Sequence, residues 1–142
     1  VDGVIIVDLP IEEDNEFFYD AKKNNLQVIR LVTPTTNLSR LKKIIKKAQG
    51  FIYYVAVTGI TGTKSAKSFD VSKRVKLIKS LTNLPVIIGF GIKTPEQARQ
   101  MSNISDGIVI GSSIVEEIKK SKSSKNVYEN CMSFIKKIIT KF

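Results

Sequence analysis

The sequence predicts an α/β fold built on a parallel sheet. Five short apolar runs alternate along the 142 residues with segments of helical character. The runs are almost continuously hydrophobic, as expected of parallel strands that are covered on both faces. Consecutive strand–helix units of this kind are joined by right-handed crossovers, and the length is that of one domain.

The strands are predicted at the apolar runs, and turn residues mark their ends. Pro10 and Pro34 close the first two runs, and Gly50 precedes the third. The fourth run ends in Gly-Phe-Gly and the fifth in Gly-Ser-Ser, which opens a short helix. The five runs are residues 3–10, 27–34, 51–57, 84–92 and 106–115.

Helices are predicted between the runs and after the last one. Acidic residues in the first turn favour a helix at 12–24, and Thr94-Pro95 begins the helix after the fourth run. Residues 58–70 are polar and contain two glycines, so they are predicted as a loop before a helix at 71–82. The last helix is predicted at 126–142, with an apolar face formed by Val127, Met132, Phe134, Ile135, Ile138 and Ile139.

Five strands are compatible with two closures of the sheet. One is an open doubly wound sheet, and the other is part of an eight-stranded (β/α)8 barrel. A complete barrel needs about 250 residues, so five units would form only its second part. The chain has no initiator methionine and its strand-like run from Val4 to Val7 starts almost at once, which favours a piece of a longer protein.

Composition excludes several classes of protein. With no histidine and one cysteine, the chain has neither the usual zinc ligands nor a Ser-His-Asp triad, and it cannot form an internal disulfide. The scarcity of cysteine is typical of the reducing cytosol. No apolar run approaches the roughly 20 residues that cross a bilayer. We therefore expect a soluble, cytoplasmic protein without a metal site and without membrane attachment.

The net charge of +10 comes mainly from lysine, since only 4 of the 23 basic residues are arginine. In the helix predicted at 39–49, apolar residues at helical spacing leave one solvated face, which carries Lys42, Lys43, Lys46 and Lys47. Nucleic-acid sites usually add arginine and stacking aromatics, which these stretches lack. We expect no nucleic-acid partner, and a basic nucleic-acid-binding module is the less favoured alternative.

Glycines at the ends of three strands predict an anion site at one edge of the sheet. Residues 58–63 (TGITGT) follow the third run, residues 89–91 (GFG) end the fourth, and residues 111–113 (GSS) open a helix. Glycine lets backbone amides approach an anion, and a helix N-terminus favours a phosphate. Barrels commonly build a phosphate site after their last two strands. Neither a G-x-G-x-x-G nor a Walker pattern is present, which argues against a dinucleotide or nucleoside triphosphate.

Five strings in this sequence resemble the second part of tryptophan synthase alpha subunits. They are DGVIIVDLP, LVTPTT, GFIYYVAVTGITG, LPVIIGFGI-TPEQA and DGIVIGSSIV, in matching order and spacing. The resemblance implies a partial (β/α)8 TIM barrel, with residues 1–142 as a single domain that supplies strands four to eight. It implies a lyase of tryptophan biosynthesis, which cleaves indole-3-glycerol phosphate to indole and glyceraldehyde 3-phosphate by a retro-aldol reaction. The implied partner is a beta subunit in an alpha2-beta2 heterotetramer; pyridoxal phosphate belongs to that subunit, and this chain carries no cofactor.

The resemblance also assigns site residues by position. Tyr53 matches a tyrosine near the catalytic carboxylate and the indole, Phe90 an aromatic beside the indole ring, and Asp8 an aspartate near the site and the subunit interface. The two catalytic carboxylates of the family would precede Val1, so we expect no catalytic residue here and no activity of the chain alone. Matched phosphate-binding positions are Gly62, Gly91, Gly111 and Ser112, and further pocket wall is expected from Ile5, Leu31 and Val109.

Residues 63–70 read TKSAKSFD where relatives often carry an arginine and an acidic residue, which affects the expected closure of the loop at 58–70. A different phosphate-binding barrel, such as a sugar-phosphate isomerase of histidine biosynthesis, is the alternative within the fold. Those enzymes usually show similar half-barrels and catalytic aspartates at strand ends, and the two halves of this sequence do not resemble each other.

Overall fold

The computed structural model describes residues 1–56, 64–89, 91–121 and 123–139, with side chains for all of these except 64–69, 124 and 125. Strands and helices alternate through these ranges. The strands are β1 (Gly3–Val4), β2 (Gln27–Val28), β3 (Arg30–Val32), β4 (Ile52–Val55), β5 (Val86–Gly89) and β6 (Gly107–Val109). The helices are α1 (Asn15–Lys23), α2 (Leu38–Lys47), α3 (Lys64–Lys79), α4 (Pro95–Ser102), α5 (Ser112–Lys120) and α6 (Ser124–Ile139).

All strand pairs of the described chain are parallel, and neighbours follow the order of the sequence. β1 pairs with β2, and β3, β4, β5 and β6 pair in that order. Only Ile29 separates β2 from β3, and its amide donates to the carbonyl of Val4 at 2.9 Å, so the two segments act as one strand. A doubly wound sheet reverses its strand order at one point, and the described strands show no reversal. The prediction of a partial (β/α)8 barrel is confirmed.

The two faces of the sheet differ in how well they are covered. Side chains of alternate residues point to opposite faces of a strand. The outer face packs under the helices and forms the main core with Val32, Leu41, Ile44, Ile52, Tyr54, Val75, Ile78, Val86 and Ile88, all 6% exposed or less. The inner face carries Leu31, Tyr53, Val55, Ile87 and Val109, which are only half-buried.

A second, smaller core anchors the C-terminal elements. Ile92, Ala98 and Ile138 are buried together, and Met101, Ile108, Ile110 and Phe134 pack against them. Ile138 and Phe134 confirm part of the apolar face predicted for the last helix. Ile139 is 58% exposed, so its place on that face was wrong. The helix packs against α4 and α5, and Ile139 is not part of the buried cluster formed there.

Side chains cap the starts of α2 and α4, and the second start lies at the predicted Thr94-Pro95. The Asn37 side chain accepts from the Arg40 amide at 2.9 Å, and Thr94 and Gln97 form a reciprocal capping box with Pro95 in the first turn. α3 begins at Lys64, so the prediction of a loop through residue 70 was wrong. No glycine or proline occurs in residues 64–70, and nothing there opposes a helix.

The first strand is shorter than predicted. Residues 4–7 were expected to be a strand, but β1 ends at Val4, and Ile5, Ile6 and Val7 are 42%, 40% and 72% exposed. β1 is an edge strand that pairs with β2 alone among the described strands. An edge strand is held by one hydrogen-bonded neighbour only, so it frays more readily than a central strand.

Within the described ranges, no helix is both long and apolar enough to span a membrane.

Candidate functional site

The inner face of the sheet brings three of the predicted site residues together. Leu31 in β3 is in register with Tyr53 in β4, and Tyr53 is in register with Ile87 in β5. Two residues further along, Val55, Gly89 and Val109 form the next layer of the same face. Leu31, Tyr53 and Val109 therefore lie on one surface near the carboxyl ends of the strands, which is where barrels place their sites.

The Tyr53 ring lies directly against Gly89 of the neighbouring strand. A Cβ atom placed on Gly89 would be 1.9 Å from the Tyr53 hydroxyl oxygen and 2.4 Å from its Cζ atom. No side chain fits in that space, so glycine at position 89 is required for the observed position of the tyrosine. Sequence reasoning treated Gly89 only as part of a glycine-rich strand end; the missing signal was the register that places it beside Tyr53.

The Tyr53 phenol is protonated at neutral pH, as a tyrosine of ordinary pKa is. Desolvation raises the pKa of the Tyr53 phenol further above 10.0. It can donate one hydrogen bond to a ligand at the inner face, and its ring adds apolar surface for a flat aromatic group.

The two predicted phosphate elements meet at the ends of β5 and β6. Gly91 has a φ of +74°, a left-handed conformation that favours glycine. Gly111 is the N-cap of α5, and the exposed Ser112 is its first residue. The Ser113 hydroxyl donates to the carbonyl of Ile92 at 2.9 Å, which joins the turn after Gly91 to the first turn of α5.

Space is free around the beginning of α5. A Cβ atom placed on Gly111 would have no neighbour within 4 Å. The first amides of a helix have no partner within the helix, and the dipole favours an anion at that end. Gly91, Gly111 and Ser112 thus lie at an open edge of the molecule, at the turn after β5 and the start of α5.

The segment that follows β1, residues 5–10, lies beside this face and is not part of a strand. Asp8 is exposed and lines a cavity of about 530 Å³, together with Leu9, Pro10, Leu31 and Thr33. Ile5 was predicted as pocket wall; it lies beyond the end of β1, and its neighbours Ile6 and Val7 line the cavity instead. Two further predicted residues, Gly62 and Phe90, fall outside the described residues.

A buried ionic cluster holds the segment that carries Asp8. The fully buried carboxylate of Asp14 pairs with Arg30 of β3, and its other oxygen accepts from Lys47 of α2 at 2.8 Å. Lys47 also donates to the carbonyl of Ile11 at 3.2 Å, and the Phe18 ring lies 5.7 Å from the Arg30 guanidinium. Sequence reasoning missed this cluster, because residues 14, 30 and 47 are far apart in the chain.

The cluster corrects one prediction about the lysine-rich helix. Lys42, Lys43 and Lys46 are exposed, as predicted for a solvated face. Lys47 was placed on the same face, but it contacts Asp14, Asn15 and the Ile11 carbonyl. Its long side chain reaches from the edge of the helix to the buried carboxylate, which helical periodicity alone does not show.

Metal chemistry finds no support in this part of the molecule. Over the described residues, no three side chains of His, Cys, Asp or Glu lie close enough to share a metal ion. The polar groups near the inner face are a phenol, hydroxyls and backbone amides. Such groups can bind and orient a ligand, but they supply no general acid–base pair.

The parallel strands follow the order of the sequence, and glycine turns and a helix N-terminus lie at their carboxyl edge. These features define the chain as part of a (β/α)8 barrel. The sequence model of the family described as tryptophan synthase alpha chain matches residues 1–140. The chain belongs to the tryptophan synthase alpha chain family.

Solved structures give the same result. Tryptophan synthase subunit alpha from Campylobacter jejuni is 36% identical, with a TM-score of 0.88 over 97% of this chain and 54% of its own. The alpha chain from Legionella pneumophila is 30% identical, with a TM-score of 0.81 over 99% of this chain and 52% of its own. The alpha2-beta2 complex of tryptophan synthase from Pyrococcus furiosus contains a chain that is 26% identical, with a TM-score of 0.83, covering 99% of this chain and 56% of that one. This chain thus spans about half the length of the structures it matches.

Proposed function

We propose that residues 1–142 are one domain-sized piece, the C-terminal part of a longer alpha subunit, called the parent chain below. The parent chain cleaves indole-3-glycerol phosphate to indole and glyceraldehyde 3-phosphate. Family membership and the half-length match to alpha subunits support this proposal. The observation that carries it is the joining of Gly91 to the N-terminus of α5, on the edge to which Tyr53 belongs.

The described residues bind the substrate rather than break its bond. Retro-aldol cleavage needs an acid and a base, to protonate the indole carbon and to remove protons from the ring nitrogen and the glycerol hydroxyl. We assign these steps to carboxylates of the preceding part of the parent chain. In this chain, Tyr53, Phe90, Leu31 and Val109 would surround the indole ring.

The phosphate is assigned to the other end of the same edge. The backbone of Gly91 and Gly111, the hydroxyl of Ser112 and the backbone of Gly62 would hold its oxygens. A phosphate accepts several hydrogen bonds at once, and bonds to a charged acceptor are stronger than neutral ones. Phosphate binding at this edge fixes the indole against Tyr53, because the two ends of the substrate are then held by neighbouring strands.

The parent chain is proposed to act with a beta subunit in an alpha2-beta2 heterotetramer in the cytoplasm. The Pyrococcus furiosus relative forms such a complex, which supports the assignment. Pyridoxal phosphate would belong to the beta subunit, and this chain would need no cofactor. Asp8, exposed at the edge of the cavity, is the residue that we place nearest to the subunit interface.

The test uses two glycines of similar conformation at opposite ends of the sheet. Gly91 has a φ of +74° and Gly50 a φ of +65°, so alanine meets similar backbone strain at both. At Gly50 the added Cβ would also lie 2.5 Å from Gln27 Oε1 and 2.7 Å from Ile29 Cδ1, so this control is the more disturbing of the two substitutions. In the parent chain, Gly91→Ala should raise the KM for indole-3-glycerol phosphate about ten- to a hundredfold, the effect of losing one bond to a charged group. Gly50→Ala, before β4 and far from the carboxyl edge, should leave the KM nearly unchanged.

Indole-3-glycerol, which lacks the phosphate, distinguishes loss of a phosphate contact from a general disturbance of the site by Gly91→Ala. Cleavage of indole-3-glycerol should be slow in the wild-type protein, and Gly91→Ala should slow it little further. Equal KM values for the two glycine variants would contradict the phosphate assignment. A parent chain that fails to cleave indole-3-glycerol phosphate with its beta subunit present would contradict the proposed function itself.

A further inference from the structure

Ser113 differs from its neighbour Ser112 in where its hydroxyl lies. Ser113, the second residue of α5, is 6% exposed, whereas Ser112 is exposed. The Ser113 hydroxyl donates to the Ile92 carbonyl at 2.9 Å, across 21 residues of sequence. A buried hydroxyl is costly unless it is hydrogen-bonded, and this one is bonded to a different loop rather than to its own helix.

This bond is unusual within the molecule. Other serine hydroxyls in the described ranges that bond to a backbone carbonyl reach a residue at most four positions away. Such local bonds satisfy a hydroxyl on its own helix or turn. The bond of Ser113 instead joins the segment after β5 to the segment after β6.

Packing and backbone conformation hold both partners of the bond in place. Ile92 is 5% exposed and packs in the small core with Ala98 and Ile138. It directly follows Gly91, whose φ of +74° turns the chain at the end of β5. Ser113 lies two residues after Gly111, the N-cap of α5. The bond therefore sets the distance between Gly91 and the N-terminus of α5.

We propose that Ser113 is a positioning residue for the phosphate site, a role that rests on the proposed function. Its proton is donated to Ile92 and its side chain is buried, so it does not itself bind the anion. It holds the Gly91 turn and the first turn of α5 at the spacing at which both can donate to one phosphate. Ser112 is the hydroxyl that remains available to the ligand.

The experiment replaces Ser113 by alanine in the parent chain, with Ser105→Ala as the matched control. Ser105 lies at the opposite end of β6. Its half-buried hydroxyl has the Met101 and Gly107 carbonyls at 2.7 and 2.8 Å and can donate its one proton to either. Both variants lose buried hydrogen bonds to backbone, so both should lower the urea midpoint. Only Ser113→Ala changes the spacing of the anion edge.

The expected result is a change in binding without a change in chemistry. Ser113→Ala should weaken inorganic phosphate binding and raise the KM for indole-3-glycerol phosphate about five- to tenfold, the range for one lost buried hydrogen bond. The kcat at saturation and the rate with indole-3-glycerol should stay unchanged. Ser105→Ala should leave all of these values at the wild-type level.

A second variant covers the case in which Ser113→Ala fails to fold. Ser113→Cys keeps the buried volume but donates only weakly, so it should show the same KM effect at smaller size. Unchanged phosphate affinity in the folded Ser113 variants, beside an active wild type, would overturn the positioning role. Equal losses in Ser113→Ala and Ser105→Ala would overturn it too. A wild-type parent chain that neither binds phosphate nor cleaves the substrate would instead reject the proposed function.

Discussion

Tyr53 and Tyr54 are adjacent in β4 but belong to different parts of the molecule. Tyr54 is 2% exposed in the main core between the sheet and the helices. Tyr53 is half-buried on the inner face, against Gly89. Burial raises the pKa of both phenols above 10.0, and for Tyr54 the Arg74 charge partly opposes this increase.

The difference between these faces separates stability from binding. Outer-face residues are surrounded by apolar neighbours within the described chain, so replacing them should lower the free energy of unfolding. Inner-face residues have few such neighbours here, so their loss should be felt mainly in ligand binding and in contact with the rest of the parent chain. The structure leads to four predictions, in decreasing order of expected effect.

The largest loss of unfolding free energy is expected on removal of Asp14, which pairs with Arg30 on the outer side of the sheet. Asp14→Ala leaves the buried charge of Arg30, and the one-third-exposed charge of Lys47, without their carboxylate. Breaking a buried pair in this way costs about 3–5 kcal/mol, which urea unfolding of the parent chain would measure. Glu12→Ala is the control: it removes an ion pair with Arg40 in which both side chains are nearly half exposed, and such pairs contribute about 1 kcal/mol or less. Similar losses in the two variants would show that the Asp14 cluster is not a buried ionic contact.

The second pair of substitutions compares isoleucines on the two faces. Ile52 is fully buried on the outer face, and Ile87 is half-buried on the inner face. Ile52→Ala should cost about 2–5 kcal/mol of unfolding free energy. Ile87→Ala should cost less than Ile52→Ala in the 142-residue chain, and more in the parent chain than in the shorter chain. Equal costs for Ile87→Ala in both contexts would mean that the preceding part of the parent chain does not cover the inner face.

The third prediction concerns the contact between Tyr53 and Gly89. Gly89→Ala places a methyl group where the Tyr53 ring now lies, so the ring must move. Forcing extra volume into a packed site costs about 1–3 kcal/mol. In the parent chain the KM for indole-3-glycerol phosphate should rise, and the shift should persist with indole-3-glycerol, which distinguishes it from loss of a phosphate contact. Gly107→Ala, whose Cβ would lie 3.0 Å from the flexible end of Ile87, is the milder control.

The smallest effect is expected at the amino end of β6. A hydrogen bond from Lys79 and one from the Val86 amide lower the pKa of Asp106 below 3.8. Because the folded-state pKa is the lower one, this stabilisation is present above about pH 4 and is lost as the pH falls through the folded-state value. The Asp106 side chain is 41% exposed, so its contribution should stay under about 1 kcal/mol. The difference in urea midpoint between wild type and Asp106→Asn should be present at pH 7 and should shrink as the pH falls below about 4; a constant difference would contradict this prediction.

Local patterns predicted most of the architecture, because each strand is a compact apolar run and each turn has its own residues. Asn37 and Thr94 began helices as expected from their capping chemistry. The extent of β1 was predicted less well, since pairing on one side only is a property of the sheet and not of residues 4–7. The start of α3 at Lys64 was missed because a polar segment reads as a loop when no partner is visible.

Site features that depend on local backbone conformation were predictable. Contacts between residues far apart in the sequence were not. Glycines 91 and 111 were recognised from their place after strands. The Gly89–Tyr53 contact needs the register of β4 and β5, and the Asp14–Arg30 pair needs β3 and α1 to be adjacent. Near-continuous apolar runs also hide which residues face inward, so periodicity could not separate Tyr53 from Tyr54, and only the family resemblance assigned Tyr53 to the site. The predicted roles of Gly62 and Phe90 stay predictions.

The sequential strand order has a consequence for how the chain folds. Each strand of the described sheet pairs with the strand that precedes it, across a separation of roughly 20 to 35 residues, so the loops to be closed are short and their entropy cost is low. Every new βα unit can therefore add to an existing edge soon after it leaves the ribosome. Vectorial growth of this kind requires no rearrangement of earlier pairs, and the last strand to arrive finds its template already formed.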